Sequence, residues 1–79
     1  MSTKMNLVVK DIKLHEKQLE VSKSDTIAYG KTKLGYTPVD GWNFKFDGEI
    51  LENNKKFGDY DIDEGDILFV SKKVVGGQI

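Results

Sequence analysis

The 79 residues contain no cysteine and no arginine, one proline and one histidine. Without cysteine there can be no disulfide, no thiolate metal ligand and no cysteine nucleophile. Small secreted domains commonly depend on such cross-links, so a cysteine-free chain of this size points to the cytoplasm. Long apolar runs are missing too, and the opening MSTKMNLVVKD shows neither a signal peptide nor a membrane span. His15 stands alone. With no second histidine and no cysteine it cannot head a metal site or a triad, and it reads as an exposed loop residue. An excess of one charge is also lacking. Twelve basic residues, all lysines, face 13 acids, for a net charge of -1. A dedicated nucleic-acid binder would be distinctly basic, so that class is set aside.

What is present suits one small domain. The apolar fraction of 38% is enough for a packed core, and the charged fraction of 32% solvates its surface. After a polar lead, residues 1–4, NLVVK places Leu7 and Val9 on one side of a strand and Val8 on the other. KQLEV repeats the alternation with Leu19 and Val21, and the polar stretch between makes the pair a hairpin. The period then changes. Ser24, Asp25 and Thr26 can each accept from the free amides of a helix start. Ile27, Gly30 and Leu34 fall on one helix face, Gly35 offers a stop and Pro38 forbids continuation.

The strongest alternation follows in GWNFKFDGEIL. Trp42, Phe44 and Phe46 share one side, Asn43, Lys45 and Asp47 the other, and Asp47-Gly48 is a turn dipeptide that returns the chain through EIL. Phe57, Tyr60 and Ile62 anchor a polar, turn-rich stretch. DILFVSKKVV reads as the last strand, with Leu68 and Val70 on one face and Ile67, Phe69 and Ser71 on the other. The order is strand, strand, helix, strand, short strand, strand. A single helix covers only one face of a sheet, so the other face is wet.

Two features invite other chemistry. Asp59, Asp61, Asp63, Glu64 and Asp66 partly mimic a calcium loop, but the downstream bidentate glutamate is missing, so no metal is expected. The aromatic row at Trp42, Phe44 and Phe46 could stack bases, yet the helix needs that face and no basic rim accompanies it.

The order of elements is that of a β-grasp, and the residues resemble the ubiquitin family. From Met5 the chain runs without a gap along the start of that fold, keeping LEV and SDTI. FKFDGEILENNKKFGDYDI resembles the family's third strand through its D-Y-N-I turn, and KKVVGG resembles the R-L-R-G-G ending. The likeness covers residues 5–77. It implies an α+β β-grasp over residues 5–75, a mixed sheet of four to five strands on one short helix, followed by a flexible Gly-Gly tail at 76–79.

Departures from the family are specific. The helix is about a turn short, and Gly30 stands where the family buries a valine, a gap that Trp42 is expected to fill. Glu49 and Glu64 replace the two lysines most used for chain building, while Lys10, Lys31 and Lys33 match family lysines. Of the family's apolar recognition patch, the matching residues are Ile12, Lys45 and Ser71, only one of them apolar. A substitute patch centred on Phe69 and including Lys45, Ile12 and Ser71 is expected.

The resemblance implies a monomeric modifier without catalytic residues or cofactor of its own. A processing protease would cut between Gly77 and Gln78. An activating enzyme would check Lys73 and take up the Gly77 carboxylate, and a conjugating enzyme would pass it to lysines of target proteins. Gly76 and Gly77, having no side chain, let the backbone thread a channel that any Cβ would block. Neither nucleic acid nor membrane is an expected partner. Two alternatives share the sequence features. One is a β-grasp sulfur carrier, against which Gln78-Ile79 counts because such carriers normally end at the glycines; the other is a non-covalent binding module. Short tails after the glycine pair also occur in archaeal ubiquitin-like proteins, so a prokaryotic source is compatible.

Overall fold

A computed structural model of the chain describes residues 4–73. β1 (Lys4–Lys10) and β2 (Glu16–Ser22) form an antiparallel hairpin in which Met5 faces Val21 and Leu7 faces Leu19. β1 takes in Lys4, the last residue expected in the polar lead. Alternation decides the faces. Met5, Leu7, Val9, Leu19 and Val21 are buried, while Val8 and Gln18, paired across the strands, look the other way.

α1 (Ile27–Leu34) begins at Thr26, whose hydroxyl accepts the Tyr29 N–H at 3.1 Å. That bond satisfies one of the free amides of the first turn. Gly35 ends the helix with φ 87°, left-handed backbone that favours glycine, and Tyr36 N–H then closes on the Lys31 carbonyl at 2.8 Å. β3 (Trp42–Phe46) and β4 (Glu49–Leu51) are joined by Asp47 and Gly48 at φ 54° and 81°. Two positive φ values are what a type I′ hairpin turn requires. A 3₁₀ turn at Phe57–Asp59 precedes β5 (Ile67–Lys72).

The strands form one five-stranded sheet in the order β2-β1-β5-β3-β4. β5 enters between the two hairpins, parallel to β1 and antiparallel to β3. The architecture is a β-grasp, a mixed sheet wrapped on one helix. Phe44, Leu51, Phe57, Ile62, Leu68 and Val70 complete the core on the helix side. No helix among the described residues is long and apolar enough to cross a membrane.

The space beside Gly30 is filled differently from expectation. A Cβ built there would stand 2.7 Å from Cζ of Phe57 and 3.3 Å from Leu19. The ring of Phe57, fully buried, occupies the room that a side chain at position 30 would need. Trp42 is not the filler. It lies half-buried at the rim, its ring 5.0 Å from that of Tyr36. A large residue from the 3₁₀ turn thus compensates for a small one on the helix, a swap between elements that one strand's pattern cannot reveal.

Candidate functional site

The sheet's uncovered face carries the candidate recognition residues, and register sets their arrangement. In β5, Phe69 lies opposite Lys10 of β1 on one side and Lys45 of β3 on the other. Lys10 pairs in turn with Glu16 of β2, and Lys45 with Ile50 of β4. One row therefore crosses all five strands: Glu16, Lys10, Phe69, Lys45, Ile50. Phe69 and Ile50 are each 51% exposed. Ile67, two residues before Phe69 and on the same face, lies opposite Val8. Lys10 Nζ approaches Glu16 Oε2 at 3.6 Å, whereas Lys45 has no ion-pair partner among the described residues.

Ile12 and Ser71 sit apart from that row. They meet at a groove of about 300 Å³ between the β1–β2 loop and the end of β5, lined also by His15, Trp42, Val70 and Lys72. Asp11 shapes the loop by accepting the backbone N–H groups of Lys13 at 2.8 Å and His15 at 2.9 Å. The His15 N–H, the largest cause, together with Lys13, holds the Asp11 carboxyl below its ordinary 3.8. Ile12 is consequently presented on a braced tip, 83% exposed. Ser71 shares the outward face of β5 with Phe69, so it links the groove to the row.

Ile50 and Lys10 are among the contributors absent from the expected patch, and their signals differ. Ile50 was legible: a two-residue turn at Asp47-Gly48 pairs Phe46 with Glu49 and hence Lys45 with Ile50. Lys10 opposite Phe69 was not, because a parallel register between distant strands has no local turn to set it.

Lys73 is exposed, and its backbone N–H donates to the Gly41 carbonyl at 2.8 Å. The conjugation and processing residues Gly76, Gly77 and Gln78 lie outside the described residues.

Of the three lysines that match family lysines, Lys31 has a place of its own. It is 2% exposed. Its Nζ donates to the carbonyls of Trp42 at 2.7 Å and Val39 at 3.2 Å, and to Asn53 Oδ1 at 2.5 Å. Asn53 Nδ2 donates onward to Asp40 Oδ1 at 2.8 Å. Burial, the largest cause, pulls the ammonium below its ordinary 10.5; Asp40 pulls it back up and Lys73 pushes it down. The network ties α1 to the loops on either side of β3–β4.

Three of the five acids that suggested a calcium loop accept backbone N–H groups, and Asp63 pairs with Lys23 at 3.5 Å. Asp59 accepts the Lys56 N–H, Asp66 that of Asp63, and Glu64 that of Asn6, each at 2.8 Å. Among the described residues no group of three metal-ligating side chains comes together.

A model described as the ubiquitin family matches residues 7–74. No curated protein matches the chain significantly.

Proposed function

The chain belongs to the ubiquitin family, and on that premise we propose that it is a protein modifier, joined through the Gly77 carboxylate to lysine amines of target proteins. The observation that carries the reading is the family match over residues 7–74, followed after Val75 by Gly76-Gly77. Gln78 follows Gly77, so hydrolysis of the Gly77–Gln78 peptide bond must come first and frees the carboxylate. That carboxylate then attacks the α-phosphate of ATP on an activating enzyme, releasing pyrophosphate. A thiolate of that enzyme displaces AMP and forms a thioester, which passes to a conjugating enzyme. A target lysine amine finally displaces the thiol, leaving an amide. These enzymes supply the catalysis. This chain, acting as a monomer in the cytoplasm, supplies a rigid body and a backbone segment without side chains to obstruct it.

Lys73, exposed, stands four residues before Gly77 in sequence and is assigned as the activating enzyme's contact. Unlike an arginine, it offers a point charge and no planar fork, which favours a cognate enzyme adapted to lysine.

Mass spectrometry of proteins from the chain's own cells tests the reading. Trypsin cuts after Lys73, so a conjugate carries Val74-Val75-Gly76-Gly77 on a target lysine. Gly77→Ala is expected to abolish that product while the fold survives. Recovery of the chain with a carboxylate oxygen replaced by sulfur would instead make it a sulfur carrier. Conjugates that keep Ile79 would refute transfer through Gly77.

A further inference from the structure

The two hairpins of the sheet end at opposite corners. β1 and β5 run parallel and β3 runs against them, so the β1–β2 loop and the Asp47-Gly48 turn lie at opposite ends. The strand order puts them at opposite edges as well. The corner at Asp47 is acidic: Asp47, Glu49, Glu52, Asp59 and Asp61 line a groove of about 350 Å³ there, with Lys55 as its one cation. The corner at the β1–β2 loop is the reverse. Two large apolar residues stand on its tip, Ile12 at 83% exposure and Leu14 at 70%.

The fold has little use for Leu14. Its N–H donates to the Asp11 carbonyl at 2.9 Å, and the Asp11 N–H to the His15 carbonyl at 3.1 Å. The turn is thus closed by a residue in left-handed backbone, φ 63°, a place that hairpins usually give to glycine. A leucine held so is strained, and its exposed side chain returns almost no burial. A contact outside the chain accounts for its presence.

Charge names that contact. Lys10, Lys13, Lys17, Lys72 and Lys73 stand around this corner. Their counter-charges are few and engaged. Glu16 approaches Lys10 at 3.6 Å, Asp11 accepts two backbone N–H groups of its own loop, and Asp40 is tied through Asn53 to the buried Lys31. Lys13, Lys17, Lys72 and Lys73 have no ion-pair partner among the described residues.

We propose that the β1–β2 loop is a peripheral membrane contact, inserting Ile12 and Leu14 at the headgroup boundary of an anionic lipid surface. Lys13 and Lys72, which line the groove beside Ile12, would meet headgroup phosphates, and Lys17 and Lys73 would add diffuse attraction. No spanning helix is needed for such a contact. The acidic corner faces away from the surface, so the charge distribution itself sets the orientation. The contact goes beyond the modifier reading and does not depend on it. Other occupants fit less well. A second copy would oppose like charges across the interface. A nucleic acid has no use for two aliphatic side chains on a convex tip. A protein partner needs roughly 1,000 Å² of complementary surface, far more than the tip presents, whereas a bilayer takes a short apolar insert with cations around it.

Co-sedimentation of the full chain with vesicles tests the proposal. Vesicles of phosphatidylcholine containing about one-third phosphatidylserine should carry the chain down, less so as salt is added, and phosphatidylcholine alone should not. Leu14→Gly relieves the backbone strain, so it should not lower the thermal midpoint, yet it should weaken partition by roughly tenfold or more. Lys13→Glu should weaken it by roughly fivefold or more. Lys55→Glu makes the same change of net charge at the far corner and should matter much less. In nitrogen-15 spectra, bicelles of the same lipids should broaden the amides of Ile12, Lys13, Leu14 and His15 first. A polyglutamate peptide and a thymidine oligonucleotide serve as comparison probes. Five results would each overturn the proposal: equal partition to neutral vesicles, full binding by Leu14→Gly, an equal loss with Lys55→Glu, tighter binding of either comparison probe at the same amides, or shifts of those amides with protein concentration alone. Gly77→Ala, which removes transfer to targets in the modifier reading, should partition like the parent chain, so the two readings fail separately.

Discussion

Leu68 and Val70 are 0% and 2% exposed, while Ile67 and Phe69, interleaved with them along β5, are 41% and 51% exposed. All four are apolar, and they share one strand and one backbone conformation. What separates them is the face each takes: alternate residues on a strand point to opposite sides, and α1 lies on only one of them. Hydropathy therefore does not tell the two sets apart. The covered face is constrained by volume, with packing that leaves little slack. The open face is constrained by charge and by what can land on it, so its residues are free to depart from those of relatives without loss of the fold.

The contrast can be broken or sharpened by substitution. The largest effect belongs to the covered face. Leu68→Ala should destabilise by about 2–5 kcal/mol, from lost burial and the cavity left behind; denaturant unfolding measures it. A cost under about 1 kcal/mol would mean that the two faces of β5 do not differ as described.

Lys31→Met comes next, at about 1–3 kcal/mol near neutral pH, because it leaves the Trp42 and Val39 carbonyls and Asn53 Oδ1 without their donor. This effect has a pH signature. Folding lowers the Lys31 pKa below 10.5, so between the folded value and 10.5 the unfolded chain binds more protons than the folded one. Stability owed to Lys31 therefore rises with pH across that window. The gap between the parent chain and the variant should widen as pH climbs through it, and a gap that narrows would show that the buried amine is favoured in its charged form.

Gly30→Ala should cost about 1–2 kcal/mol despite alanine's better helix propensity, since its Cβ meets the Phe57 ring at 2.7 Å. Pairing it with Phe57→Leu should recover part of the loss, a coupling that a double-mutant cycle reads directly. Phe69→Ala is the smallest. It should change stability by no more than about 1 kcal/mol, because the side chain gives up little burial; thermal unfolding is the check.

How far the sequence discloses this depends on whether a constraint is local. The strands, the helix stop at Gly35, the turn at Asp47-Gly48 and the outward placement of Phe69 all follow from period and turn chemistry within a few residues. So does Thr26 as the helix cap. The filling of the space at Gly30 by Phe57 links residues 27 positions apart (57 − 30), and no periodicity carries it. The cross-strand position of Lys10 is hidden for the same reason: β1 and β5 are the first and last strands, and their parallel register is set by tertiary packing. Lys31 is the sharpest case. A lysine in a helix reads as solvated, and only the folded chain shows the carbonyl cage that receives its ammonium.

That cage makes Lys31 a built-in clock. The other lysines of the chain are exposed or half-buried and can meet an acylating reagent while the protein stays folded. Lys31 can react only during an opening that frees its amine from the Trp42 and Val39 carbonyls, so the lag of its labelling behind the rest counts those openings. The reaction is also one-way in a structural sense. An acyl group on Nζ takes away the charge and two of three donors and adds bulk inside a closed cage, so a chain labelled there cannot close again as before. Any linkage built on this amine would record that the molecule had once come open, and would hold it so.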